Sequence, residues 1–424
     1  MNQNEIIEAI QNQSIRLDPE EGLDALIDAI GEARYVLLGE ASHGTSEFYT
    51  LRTEISKRLI ERKGFHFLAV EGDWPSCYRL NRYVKRYEGA DDNAAAAMGD
   101  FTRWPTWMWA NREVIALADW MREHNAGRAA AERVGFYGID VYSLWESMEA
   151  IIEYLEQTGA PELEQAKAAF SCFEPFARSE QTYGISAAFL SESCENEVVK
   201  LLRDLQQKRG ERRHADYQDG EESLSAELNA LAAVNAERYY RSMVRGGPDS
   251  WNVRDRHMVE ALNRLMKFHG SRAKTIIWEH NTHIGDARAT DMAGEGMVNV
   301  GQLLREAYGD EVYAVGFGTH RGTVIAGREW GAPLQVMNVP RAEPGSWEDL
   351  LHRAGGYDKL LLLGSGHPLF QATLGHRAIG VVYHPEYERR GNYVPTRVAE
   401  RYDAFLYVEE SKALDPIKVG RVLV

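Results

Sequence analysis

The chain has 424 residues, 44% of them hydrophobic and 10% aromatic, which predicts a globular protein with a substantial core. Its formal charge is −16, from 48 basic and 64 acidic residues. A surface this acidic repels phosphate backbones and anionic membranes, so no nucleic acid and no membrane is expected as a partner; solubility is the plainer use of the charge.

The first residues, "MNQNEIIEAIQNQSIRL", show neither the basic start nor the apolar core of a secretory leader. No run reaches the roughly 18 apolar residues of a membrane span. Cys77, Cys172 and Cys194 have no metal-site spacing and read as reduced thiols, so the expected compartment is the cytoplasm.

Residues 1–33 predict one or two amphipathic helices. Four short apolar runs follow, each ending in polar chemistry: "YVLLGEASH" (35–43), "FLAVEGDW" (67–74), "VGFYGIDVYS" (134–143) and "TIIWEHNTHIGD" (275–286). Helical patterns separate them, among them "SEFYTLRTEISKRLIERKG", which closes on Gly64 as a C-cap. Such alternation predicts an α/β fold: a mainly parallel central sheet with helices on both faces. In these sheets ligands sit outside the carboxyl ends of the strands, where all four polar clusters fall.

Residues 144–270 read as a helical insertion. Val198, Leu201, Leu202 and Leu205 keep helical spacing, as do Leu224, Leu228 and Leu231, then Met258, Leu262 and Leu265. Between the first two sets, "QQKRGERRHADYQDGEES" reads as a solvated connection. Apolar runs return after 311 ("VYAVGF", "LLLLG", "AIGVVYH", "AFLYVEE") and predict that the sheet resumes. The expected organisation is a discontinuous α/β catalytic domain, 1–143 and 271–424, interrupted by the insertion.

Glu40, His43, Glu71, His280 and His283 form the strongest constellation, standing at the ends of three separate apolar runs. Histidine can take a proton from water near neutral pH, and a carboxylate partner fixes its tautomer and raises its basicity. The bland alternative is that the glutamates favour helix N-termini and the histidines are satisfied core groups. The expectation is a site that needs no cofactor. A metal is the alternative, with Glu40, Glu71, His280 and His283 as ligands: "HNTH" sets two histidines three apart, on one face of a helical turn.

Nucleophile signatures are missing. There is no G-x-S-x-G elbow and no P-loop frame, and Ser365 and His367 in "LGSGHPLF" read as a turn. Activated water is the economical nucleophile. Arg52, on the helix after His43, could pair with Glu40 or Glu71, steady an oxyanion, or simply make a surface salt bridge. Trp104, Trp107 and Trp109 cluster in "RWPTWMWANREV" and read as helix packing or as contact area for a bulky ligand. Trp74, beside Glu71, is expected to line the cleft, with Trp104 and Trp107 as further substrate contacts. Asp140, at the end of "GFYGID", is expected to bind substrate or anchor the site.

The segments "LLGEASHGTSEFYTLR", "AVEGDWPSCYRLNRYV", "WPTWMWANREV", "GFYGIDVYSLWESM", "SWNVRDRHMVEAL", "IIWEHNTHIGDAR" and "GVVYHPEYERRGNYVPTRVAERYDAF" resemble the erythromycin esterase family across roughly residues 20–415. The resemblance implies that His43 is the general base, with Glu40, Glu71, His280 and His283 lining the same cleft and Arg52 at the family's arginine. It also implies hydrolysis of a small-molecule ester or lactone, the macrolactone of 14-membered macrolides above all, by a cytoplasmic α/β protein with helical additions, and it leaves metal dependence open. Relatives of this type also carry succinoglycan-biosynthesis labels. A metal-dependent hydrolase, and a non-catalytic binding protein of exopolysaccharide or stress physiology, are the alternatives.

Overall fold

The computed structural model describes residues 3–17, 21–176, 183, 184, 186, 194–211, 215–364 and 368–420. A helix at Gln3–Gln13 leads into β1 (Ser14–Arg16), and a second helix, Glu21–Ile30, precedes β2 (Tyr35–Leu38). The other runs with polar endings fold as β3 (Phe67–Asp73), β4 (Gly135–Asp140) and β5 (Thr275–Trp278). Then come β6 (Val312–Ala326), β7 (Gln335–Val339), β8 (Lys359–Leu362), β9 (Thr373–Arg377), β10 (Tyr393–Arg397) and β11 (Ala404–Ser411).

One sheet has the order β1-β8-β11-β6-β2-β5-β3-β4, with β7 hydrogen-bonded to β6; β9 and β10 pair separately. From β11 across to β4 every neighbouring pair is parallel. The additions β1, β8 and β7 join antiparallel. The fold is therefore the expected α/β sheet, mainly parallel and flanked by helices.

Both faces of the central strands are buried, which is why those strands read as unbroken apolar runs rather than as alternating ones. Val36, Leu38, Leu68, Val70, Ile276 and Trp278 face the helix Ser46–Lys63 through Tyr49, Ile55 and Leu59. Leu37, Ala69 and Ile277 face the opposite way and share one core with Leu201, Leu228 and Leu262. Those leucines belong to the helices Glu195–Glu211, Tyr217–Met243 and Asp249–His269. Truncating a central side chain such as Leu37 to alanine would cost about 2–5 kcal/mol, since close-packed neighbours cannot fill the void.

The connections position the site. From β2 the chain passes over to β3 on one side, and from β5 it passes over to β6 on the other. The helix after β2, Ser46–Lys63, packs on one face of the sheet, and the helix after β5, Val300–Tyr308, packs on the other through Val300 and Leu304. The two loops therefore leave for opposite faces, the topological switch point at which such sheets form their ligand crevice.

Several local expectations are corrected. Cys172 and Cys194 are not free thiols but a disulfide, their Cα atoms 5.9 Å apart where the helices Leu163–Phe173 and Glu195–Glu211 meet; Cys77 is free and buried. "AIGVVYH" is no strand, because Ile379 and Val382 make only single bridges, to Ser42 and Gly327. The solvated connection is shorter than its charge suggests: helix continues to Glu211 and restarts at Tyr217, capped by the Asp216 side chain on the Asp219 amide. Ser365 and His367 lie outside the described residues. Gly64 does cap its helix, at φ 67° and ψ 41°, in the left-handed region glycine adopts freely.

Candidate active site

After β2 the backbone runs close under the β5 loop. A Cβ at Gly39 would lie 2.1 Å from Asn281 Oδ1, and one at Gly44 would lie 2.0 Å from the Ile325 carbonyl oxygen, so these positions need glycine for space. Glu40 is then buried between two partners. Its Oε1 accepts from His43 Nδ1 at 2.9 Å, and its Oε2 accepts from Arg52 Nη2 at 2.7 Å. Arg52 makes no surface salt bridge. It is wholly buried, its guanidinium 4.5 Å from the Tyr49 ring centre and 4.6 Å from that of Trp278. The aromatic faces take up part of the charge that water would otherwise solvate.

With the proton on Nδ1 directed at Glu40, Nε2 is the basic nitrogen of His43. Burial opposes its protonation, but the nearby Glu71 and Glu40 outweigh that and raise its pKa above the ordinary value. At 8% exposure it is the most accessible of the five clustered histidines and glutamates.

Glu71, near the end of β3, ties three elements together. Its Oε1 accepts from Arg254 at 2.6 Å, its Oε2 accepts from the His280 amide at 2.8 Å, and its carbonyl accepts from Trp109 Nε1 at 2.9 Å. Burial works against its charge, yet His283 and Arg254 prevail and hold the carboxyl well below the usual carboxylate range. Arg254 also binds Asp140, at 2.8 Å through Nε and 2.7 Å through Nη2. Asp140 thus anchors the arginine.

On the β5 loop, His280 and His283 differ in kind. His280 Nδ1 accepts from the Thr282 hydroxyl at 2.8 Å and from the Thr282 amide at 3.3 Å, which puts the ring proton on Nε2. That Nε2 is buried with no hydrogen-bond partner. Burial first, then the neighbouring His43, drives the His280 pKa well down, so the ring is neutral at physiological pH. Its centroid lies 4.9 Å from that of His43. His283 is fully engaged: Nδ1 lies 2.9 Å from Asp255, Nε2 lies 3.1 Å from Arg254 Nη1, and Trp251 stacks on it at 4.5 Å.

Glu279 is the surprise of the cluster. It is fully buried and neither carboxyl oxygen has a hydrogen-bond partner. Burial, then Glu71 and Asp255, raise its pKa well above the ordinary value, which favours the protonated form.

The structure therefore brings together Glu40, His43, Arg52, Glu71, Asp140, His280 and His283. It does not bring Trp74, Trp104 or Trp107. Trp74 is core, stacked 5.6 Å from Tyr137 and donating to Ser225 Oγ at 3.0 Å. Trp104 and Trp107 pack edge to face, 5.2 Å apart, in the opposite core layer, with Trp104 Nε1 bound to the Ala332 carbonyl. Large flat rings beside a cluster were favoured for burial over contact with solvent. Sequence reasoning missed Arg254, Asp255 and Glu279. A signal existed for the first two: Arg254 is four residues before Met258 and Asp255 seven before Leu262, so both charges fall on the apolar stripe of their helix.

Fold and cluster define the class: an α/β protein whose acid–base groups converge at a topological switch point. The erythromycin esterase profile matches residues 60–411, and the chain belongs to the erythromycin esterase family, which makes it hydrolase-like in its broad chemistry. It is 24% identical over 366 residues to erythromycin esterase type II of Escherichia coli, covering 77% of this chain and 80% of that protein. In fold it is similar to the crystal structure of a succinoglycan biosynthesis protein, at TM-score 0.79 and 23% identity over 97% of this chain and 98% of that one. It is also similar to an erythromycin esterase mutant solved in its open conformation, at TM-score 0.68 and 18% identity over 98% of each chain.

Proposed function

We propose that the protein is a hydrolase of a carboxylic ester or lactone, with water as the nucleophile and His43 as the base. The observation that carries this reading is the pairing at the crevice: a basic His43 Nε2 backed by Glu40, facing a neutral His280 whose Nε2–H is unpartnered, with ring centres 4.9 Å apart. His43 takes a proton from water while the oxygen attacks the carbonyl carbon. His280 donates to the developing oxyanion, where a preorganised donor in a dry site acts most strongly. The proton on His43 then passes to the leaving alkoxide. Arg52 and Glu40 hold the base in place, while Asp140, Asp255 and His283 fix Arg254 against Glu71.

The reaction as proposed runs without a metal at these residues. Both oxygens of Glu40 are taken by His43 and Arg52, and both of Glu71 by Arg254 and the His280 amide. Macrolactones of 14 members are the first substrates to try, since the Escherichia coli relative is named for erythromycin; resistance to such antibiotics would be the physiological consequence. Hydrolysis of a panel of esters and lactones, followed by mass spectrometry, tests the proposal. Absence of turnover across the panel would instead favour a binding protein. No helix among the described residues is long and apolar enough to cross a membrane. A cytoplasmic home belongs to the proposal and is checked by cell fractionation. A thiol count on freshly lysed cells is the second check, because a reducing cytosol opens bridges such as Cys172–Cys194.

A further inference from the structure

A second cluster lies away from the crevice, on elements that contribute nothing to the first. His320 stands in the latter half of β6, Glu409 on β11, and His352 on the helix Trp347–Arg353. One donor atom from each lies within 4.8 Å of the others. Among the described residues no other set of three or more histidine, cysteine, aspartate or glutamate side chains comes close enough to share an ion.

His320 gives the cluster its meaning. It is 3% exposed and neither ring nitrogen has a hydrogen-bond partner. Buried polar atoms are almost always paired, and one imidazole with both nitrogens unmet is a standing cost. Its ring stacks on His352, centroids 3.8 Å apart, beside the Glu409 carboxylate. The carboxylate is already oriented: Tyr407 donates to Glu409 Oε2 at 2.7 Å, leaving Oε1 to face His352 at 2.8 Å. Outer hydrogen bonds of this kind accompany metal-binding carboxylates. The His352 and Glu409 side chains are 37% and 17% exposed, so an ion can enter from solvent.

We propose that His320, His352 and Glu409 bind one divalent transition-metal ion of the zinc class. Two imidazoles and one carboxylate suit zinc, leaving a fourth position for water. Tetrahedral ligands stand roughly 3.3 Å apart around such an ion, so the His352–Glu409 pair opens slightly while His320 turns toward it through its own torsions. The ion takes the place of the hydrogen shared by His352 and Glu409, and the His352 proton moves to its other nitrogen. The ion then clips one helix to two strands. This inference is independent of the esterase reading and stands or falls without it.

The experiment uses the whole protein, stripped with a chelator and titrated with Zn²⁺ by calorimetry and with Co²⁺ by absorption. Expected are one equivalent bound, tetrahedral Co²⁺ bands, a raised unfolding temperature, and unchanged hydrolysis wherever hydrolysis is found. His352→Ala and Glu409→Gln change partly exposed side chains, which preserves the fold, and each weakens binding by more than the ~10–100-fold lost with an outer-shell partner. Three outcomes overturn the site: no stoichiometric binding, binding that survives His352→Ala, or binding abolished by Glu71→Gln while both of those variants retain it.

Discussion

His43 and Glu40 are joined through Nδ1 and Oε1 at 2.9 Å, and that bond decides which nitrogen of the ring meets water. Removing the base leaves water unactivated. His43→Ala should lower kcat/KM about 10²–10⁴-fold with the fold intact, and His43→Gln should be nearly as inactive because an amide cannot accept the proton. Steady-state kinetics beside circular dichroism checks this. Near wild-type turnover in both variants would assign His43 a structural role and send the search for a base to His280, His283 or Glu71.

The pH profile carries its own sign. The working form of His43 is neutral, and its pKa stands above the ordinary histidine value, chiefly through Glu71 once burial is overcome. Activity should therefore rise with pH through a midpoint above that value and then level off. Glu71→Gln removes the largest charge favouring the imidazolium, so the midpoint should move to lower pH whatever happens to the plateau. A midpoint that stays in place would mean another group titrates.

Arg52 and Glu40 form an ion pair in which neither side chain sees solvent. Arg52→Met leaves the carboxylate buried without its cation, and breaking one side of such a pair costs about 3–5 kcal/mol. Arg52→Lys keeps the charge but loses the planar fit between Tyr49 and Trp278, so it should fall between. Urea midpoints at fixed pH measure both.

Glu279 makes a prediction of opposite pH dependence. A carboxyl whose folded pKa is raised keeps its proton in the native state while the unfolded chain releases it. Stability is then lost as pH climbs from the ordinary carboxylate range toward the raised value. Glu279→Gln removes that loss, so its melting temperature relative to wild type should increase from pH 5 to pH 8. A difference flat with pH would show Glu279 ionised in the fold. If the same variant lost more than about 100-fold in turnover, the group would be a proton donor in the reaction.

Much of this arrangement was legible because parallel strands buried on both faces leave a plain trace: "YVLL", "FLAV", "GFYGID" and "TIIW" became β2, β3, β4 and β5. Glu40, His43, Glu71, His280 and His283 could be read as one site because each follows such a run. Arg254 could not be found that way, since it arrives from the helix Asp249–His269, whose stripe of Met258, Leu262 and Leu265 looks like ordinary core. Trp74 misled for the converse reason: closeness in sequence to Glu71 says nothing about which side of the strand end a ring occupies. Glu279 is one of several titratable residues in "WEHNTHIGD", and only its burial without a partner sets it apart.

The place of β2 has a consequence for synthesis. Its two neighbours, β5 and β6, begin at Thr275 and Val312, whereas β3 can pair with β4 as soon as Asp140 has emerged. While the ribosome makes the helices in between, Tyr35–Leu38 waits with both hydrogen-bonding edges open and an apolar side chain at every position. Unpaired strands of this composition are what nascent chains aggregate through. Glu40, His43 and Arg52 therefore emerge together early, but His280 joins them only late in translation, and a ribosome stalled before β5 leaves a chain that owns the base without the histidine it works against.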